Sequence, residues 1–224
     1  MKLAIFDIDG TLIHGSSERL FWRYLAARGR LGPKQVFAYL LFFVRYLPTG
    51  GIHTLKKNKA YLAGLAAEEV AALARDFVAT RLMARLYQRC ALRLQEHQRR
   101  GDTVVLISGT LDPIARELAS RLGVRHVCAT LCSERNGVYL PQPPETHPFG
   151  AAKLSLARQL ATDLGADLRQ ASAYGDSHHD LFLLEAVGEA VAVMPDSKLA
   201  EAAVANEWEI ITPGTAAHDG AVRP

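Results

Sequence analysis

Five residues near the start of the chain constrain its fold more than any others. They are Asp7-Ile8-Asp9-Gly10-Thr11, and they close the apolar run Lys2-Leu3-Ala4-Ile5-Phe6. The run reads as a strand over residues 2–7. Side chains alternate along a strand, so Asp7 and Asp9 start on one side, and Gly10 lets the chain turn at once. Two acids at the carboxyl end of a strand stand where open α/β sheets bind ligands. Close carboxylates repel, and a hard divalent cation is their usual partner. The same five residues could also form an ordinary turn, so the rest of the chain has to decide.

The pattern after this strand is helical. Leu20, Phe21, Tyr24 and Leu25 fall at helical spacing behind a cap at Ser16 or Ser17, with Glu18 in the first turn. A second helix is expected over about 34–46, ending at Pro48-Thr49-Gly50-Gly51, and a third over about 53–63. From Ala66 to Arg100 the pattern stays helical, with a break whose place is open. After Gly101-Asp102 strands and helices alternate. Strands are expected over 103–107, 126–129, 171–174, 190–193 and 208–211; helices over 113–122, 151–161, 180–187 and 197–207. Asn136-Gly137 signals a hairpin. The tail from Thr212 is polar and expected to fray. The fold class is therefore α/β: a Rossmann-like parallel sheet with helices on both faces, plus an all-helical cap inserted after the first strand. Residues 1–13 and 91–224 form the core in this reading, and 14–90 the cap.

Three more strand ends carry polar groups. Ser108-Gly109-Thr110 offers hydroxyls and backbone N–H groups to an anion, or a cap to the next helix. Lys153 follows Gly150 in a first helical turn, against the helix dipole. Gly175-Asp176-Ser177-His178-His179-Asp180 places two carboxylates around a turn. Each alone is unremarkable; four in order at strand ends suggest one site.

Composition narrows the alternatives. Of 224 residues, 49% are hydrophobic and 22% charged, and the net charge is +3, which suits an anionic small molecule but gives no case for nucleic acid. Three cysteines fit a reducing compartment, and Cys128 with Cys132 lacks the second pair that a zinc site needs. Val36–Val44 is the most apolar stretch, well short of the roughly 20 residues that span a bilayer. With Met1 leading straight into a strand, we expect a soluble, cytoplasmic protein with no stable membrane insertion and no secretory signal. Oligomeric state is not legible.

The four motifs, spanning residues 5 to 180, resemble those of the haloacid dehalogenase superfamily of phosphohydrolases. The helical cap between the first two is similar to that of the phosphoserine-phosphatase-like branch (subfamily IB). The resemblance implies a Mg²⁺-dependent phosphomonoesterase acting on a small-molecule phosphate monoester. It makes Asp7 the nucleophile that forms an aspartyl-phosphate, and Asp9 the general acid and then base. It assigns Mg²⁺ to Asp7, the Asp9 backbone carbonyl and Asp176. It assigns the phosphoryl oxygens to Ser108, the Gly109 N–H and Lys153, with Asp180 orienting Lys153 or the metal waters.

The match also departs from the pattern. The glutamate with which phosphoserine phosphatases read the substrate amine falls at Ser16 by direct count; Glu18, two residues on, is a possible substitute. His179 replaces a frequent Asn, and His14 in the flap after the first motif is a possible substrate contact. In the cap, Phe37, Tyr39, Phe42 and Phe43 are expected to pack mainly as core, with part of them able to line an apolar pocket for a lipid-like phosphate. Lys56, Lys57 and Lys59 could meet a second anionic group. Two competing functions remain: a phosphotransferase using the same intermediate, and a non-catalytic phosphate-ligand-binding module.

Overall fold

The structure is a computed structural model that describes residues 1–50 and 57–212. Six parallel strands form one sheet: β1 (Leu3–Phe6), β2 (Thr103–Leu111), β3 (His126–Thr130), β6 (Ser172–Gly175), β7 (Glu189–Val193) and β8 (Glu209–Ile211), in the order β3-β2-β1-β6-β7-β8. The chain builds outward from β1 to one side, then returns to build outward on the other. The crevice between β1 and β6 is thus the switch point at which such sheets bind ligands. Glu134–Arg135 (β4) and Val138–Tyr139 (β5) form the expected hairpin, with Asn136 and Gly137 both at positive φ as a two-residue turn of this kind requires.

Alternation along the strands divides the core in two. Ala4, Phe6, Leu106, Tyr174 and Val191 face one apolar cluster; Leu3, Ile5, Val105, Ile107, Ala173 and Ala192 face another. The first is covered by α4 (Gln88–Arg99) and α5 (Asp112–Arg121), the second by α6 (Ala151–Asp163), the short α7 (Leu181–Leu184) and α8 (Ser197–Ala205). The second face is rich in alanine on both sheet and helices, so those helices can approach closely.

Between β1 and β2 the described residues are almost wholly helical: α1 (Ser17–Ala27), α2 (Pro33–Gly50), a 3₁₀ turn at Ala60–Leu62 and α3 (Ala67–Phe77). Phe21, Leu25, Leu62 and Phe77 join the same cluster as Phe6 and Tyr174, so one apolar core runs from the sheet into this segment. The segment leaves and returns at one point: the His14 N–H donates to the Arg85 carbonyl (2.9 Å) and the Tyr87 N–H to the Leu12 carbonyl (2.8 Å).

Several boundaries differ from expectation. The helical stretch 66–100 breaks after Phe77, through a π-helical turn at Val78–Leu82 and a 3₁₀ turn at Met83–Arg85. Helix α2 continues past Tyr46 through Pro48 to Gly50. Proline removes one hydrogen bond, to the carbonyl four residues back, and in a last turn that loss is local. The helix expected over 53–63 lies partly outside the described residues; where described, Asn58 and Lys59 are non-helical and separate Lys57 from the 3₁₀ turn. The tail beyond Thr212 and Lys56 also lie outside them. Phe37 is a correction: it is 66% exposed rather than core, whereas Phe42 is buried and Tyr39 and Phe43 are half-buried.

Candidate active site

The Asp7 backbone N–H donates to the Tyr174 carbonyl (3.1 Å), extending the β1–β6 pairing one residue into the switch point. Asp7 shares the parity of Leu3 and Ile5 and so faces the side of the sheet covered by α6. From the first turn of that helix Lys153 reaches in, its Nζ 3.0 Å from Asp7 Oδ1 and 2.5 Å from Asp180 Oδ1. Lys153 and Asp180 are almost wholly buried. Burial works against the lysine charge, but Asp7 and Asp180 outweigh it, raise the ammonium pKa and keep it protonated. Burial raises the Asp7 carboxyl above its ordinary range; Lys153 opposes this, Asp180 adds to it, and hydrogen bonds from Ser108 and Lys153 oppose it again.

The turn after β6 is tied by Asp180. Its Oδ2 accepts from the N–H groups of Asp176 and Ser177, both at 3.2 Å, and forms a reciprocal cap with Ser177. Gly175 makes this possible, since a Cβ there would meet the Asp180 side chain at 2.7 Å. Gly10 is required twice over: its φ is +84°, and a Cβ would stand 2.0 Å from Asp176 Oδ2. As a result, carboxylate oxygens of Asp7, Asp176 and Asp180 lie within 4.8 Å of one another. Burial, then Asp7 and Asp180, push the Asp176 carboxyl up to about 8. Three acids against one lysine leave the pocket short of positive charge. An all-oxygen donor set of this kind fits a hard divalent cation such as Mg²⁺.

Asp9 stands apart from this cluster. The chain turns back between them, with the Gly10 N–H donating to Ile13 O, and Asp9 Oδ1 accepts from the Ser17 N–H at 3.0 Å. Burial lifts its carboxyl to about 6 against these Ser17 hydrogen bonds. The side-chain cluster therefore holds Asp180 where the sequence suggested Asp9, whose expected metal contact was through its carbonyl.

Ser108 and Thr110 lie inside β2, which runs on to Leu111 through an irregularity in its pairing with β3. Ser108 Oγ, Thr110 Oγ1 and Ser17 Oγ form a buried hydroxyl chain with steps of 3.2 Å. Neither Ser108 nor Thr110 caps α5, whose N-cap Leu111 makes no side-chain hydrogen bond. Sequence reading had Ser17 only as a helix cap. In the structure Ser16 caps α1, and Ser17 turns its N–H to Asp9 and its hydroxyl to Thr110. It also missed Thr130, whose hydroxyl donates to the Gly109 carbonyl (2.7 Å) and meets His147 Nδ1 (2.9 Å). No local signal links residues 109, 130 and 147; the β2–β3 pairing brings the first two together and the loop before α6 brings His147 to them.

The remaining candidates are occupied. Glu18 accepts from buried Lys59 and from the Tyr61 hydroxyl. His14 is exposed, its ring edge-on to Tyr87, beside a hollow of about 720 Å³ that also receives Arg23, Arg81 and Arg85. The His178 ring and its N–H both bond Asp196 Oδ2, at 2.7 and 3.0 Å. Burial opposes the Asp196 charge, yet these bonds and the Leu199 N–H hold its carboxyl down to about 2.

Residues 4–185 match the family model of haloacid dehalogenase-like hydrolases. The chain belongs to that family. Among its relatives, phosphoserine phosphatase SerB1 of Mycobacterium tuberculosis is 30% identical over 92% of this chain and 69% of its own. A histidinol-phosphatase of Neisseria meningitidis is 30% identical over 94% of this chain and 98% of its own. A crystal structure from Bordetella pertussis Tohama I, of a protein of unknown function, superposes with a TM-score of 0.80 at 27% identity, covering 94% of this chain and 97% of that one. Family and relatives make this haloacid dehalogenase-like hydrolase a phosphatase, in the phosphoserine-phosphatase-like branch. No helix among its described residues is long and apolar enough to cross a membrane.

Proposed function

We propose that this phosphatase hydrolyses a small-molecule phosphate monoester through an aspartyl-phosphate on Asp7, with Mg²⁺, in the cytoplasm. The observation that carries the reading is the convergence of Asp7, Lys153, Asp176 and Asp180 at the switch point between β1 and β6. A carboxylate oxygen of Asp7 attacks phosphorus, and the bond from phosphorus to the ester oxygen breaks. Asp9, with its carboxyl near 6, gives its proton to the departing alkoxide. It then takes a proton from the water that attacks the aspartyl-phosphate, releasing inorganic phosphate and restoring Asp7. Ser108, the Gly109 N–H and Lys153 hold the transferring oxygens; Asp180 keeps Lys153 in place. Mg²⁺, held by Asp7, the Asp9 carbonyl and Asp176, would supply charge neutralisation to the phosphoryl oxygens.

The helical segment 14–90 is the cap in this proposal. Ser17 touches both Asp9 and Thr110, so α1 begins at the site and a substrate has to fit beneath it. The Glu18 carboxylate already faces Lys59, which weakens it as a reader of a substrate amine. The relatives are named for phosphoserine and for histidinol phosphate, and both belong in a first substrate panel with an aryl phosphate. Phosphate release with Mg²⁺ should fall at least about a thousandfold in Asp7→Asn, which cannot form the intermediate. More than about a hundredth of wild-type turnover would sink the mechanism. Transfer to added glycerol in place of water would mark a phosphotransferase.

A further inference from the structure

Helix α2 carries an apolar face that nothing in the described structure covers. Val36, Phe37, Leu40, Leu41, Val44 and Leu47 are all exposed, Phe37 by 66% and Val44 by 75%. At about 100° per residue the six side chains span an arc of roughly 140°, a continuous stripe rather than scattered exposure. The opposite face is the packed one: Phe42 is buried, and Tyr39 meets Tyr61 and Phe43.

Charge is distributed around this stripe with one sign. Between Glu18 and Glu68 the sequence has nine Lys or Arg residues and no acid. Some of these cations are matched from outside the stretch: Arg28 by Asp76, Arg30 by Glu69 and Lys59 by Glu18. Lys34 and Arg45 flank the stripe on α2, and Arg19 and Arg23 line a hollow of about 470 Å³ with half-exposed Trp22 and Val36. None of these four has an ion-pair partner among the described residues.

We infer that α2 docks this protein on the surface of an anionic lipid bilayer, lying in the interface without crossing it. An apolar stripe of this width enters the boundary between headgroups and acyl chains, while flanking cations meet lipid phosphates. Trp22, at the edge of the patch, suits the same depth. A second copy of the chain is the poorer occupant. A symmetric contact through α2 would bring the unmatched cations of both copies together.

Co-sedimentation of the full chain with vesicles tests this directly. With about three parts phosphatidylcholine to one part phosphatidylglycerol the protein should pellet, at least about tenfold more strongly than with phosphatidylcholine alone. Raising NaCl from about 0.05 to 0.5 M should release most of it. The double variant Phe37→Ser/Val44→Ser should bind at least about tenfold more weakly. Both positions are exposed, so its thermal melt and its turnover of a water-soluble aryl phosphate should match wild type, whatever the reaction at the site proves to be. Failure of the wild type to bind anionic vesicles, or equal binding by the double variant, overturns the inference. So does a dimer in sedimentation equilibrium that the double variant dissolves while vesicle binding is absent.

Discussion

The crevice between β1 and β6 and the outer face of α2 break the usual surface rule in opposite directions. In the crevice charged groups are buried and mostly tied to partners within the fold: Lys153 to two carboxylates, Asp180 to Lys153 and two backbone N–H groups, Asp9 to Ser17, with the acids still outnumbering the lysine. On α2 apolar groups are exposed, and nothing among the described residues covers them. Both arrangements are costly for an isolated fold. The first is largely offset by neighbouring side chains and backbone, whereas the second is offset by none of the described residues. The crevice thus calls only for a small cation, while the docking inferred for α2 calls for a whole surface.

The comparison breaks most severely at Lys153. Lys153→Ala should cost about 10²–10³ in kcat, by loss of a preorganised cation on the transferring oxygens. It also leaves Asp7 and Asp180 buried without their counter-charge, for about 3–5 kcal/mol in denaturant unfolding. Wild-type turnover or stability would show that the crevice is not balanced by this lysine. Next come two phenylalanines on the same helix. Phe42→Ala should destabilise by about 3 kcal/mol, because Phe42 is buried, whereas Phe37→Ala should lie within about 0.5 kcal/mol. Equal losses would mean that the exposed face of α2 is covered in solution.

Acidity sharpens the contrast further. Burial lifts Asp9 to about 6 and Asp176 to about 8, above the ordinary value near 3.9 of an unfolded chain. Groups with raised folded-state values stabilise the fold at low pH, and that contribution is lost as pH rises through them. Metal-free protein should therefore melt at a lower temperature at pH 8.5 than at pH 5.5. Mg²⁺, which favours the ionised acids, should recover more of the melt at pH 8.5 than at pH 5.5. The opposite ordering in thermal scans with Mg²⁺ or EDTA would remove the cation from the site. The smallest effect is expected at Glu18. Glu18→Gln weakens the pair of a partly exposed Glu18 with the buried Lys59, for about 1 kcal/mol, and should shift KM more than kcat if α1 covers the substrate.

What the sequence disclosed follows the same division. Strand ends are marked by local chemistry: an apolar run, then acids or hydroxyls, then glycine. Asp7, Ser108, Asp176 and Asp180 could be singled out because each stands next to such a mark, and Lys153 because it follows Gly150 in a first helical turn. The part that needed coordinates depends on distant partners. Ser17 reads as a cap until Asp9 and Thr110 are placed beside it. Glu18 reads as a free acid until Lys59, buried across from it, comes into view. The break between Ala66 and Arg100 was expected, but its place after Phe77 was hidden because the π-helical turn keeps the backbone coiled and the apolar spacing helical. Phe37 looked like core because an aromatic residue in an apolar run carries no sign of which face it occupies.

The two hydrogen bonds that pin residues 12–14 to 85–87 have a further consequence. Everything between them departs from the sheet and comes home through a single doorway. Lengthening or shortening that excursion changes the closure entropy only logarithmically and leaves the β1 register untouched. Evolution, or an engineer, could exchange the whole excursion for another of different size and greasiness without rewriting the acids at the door.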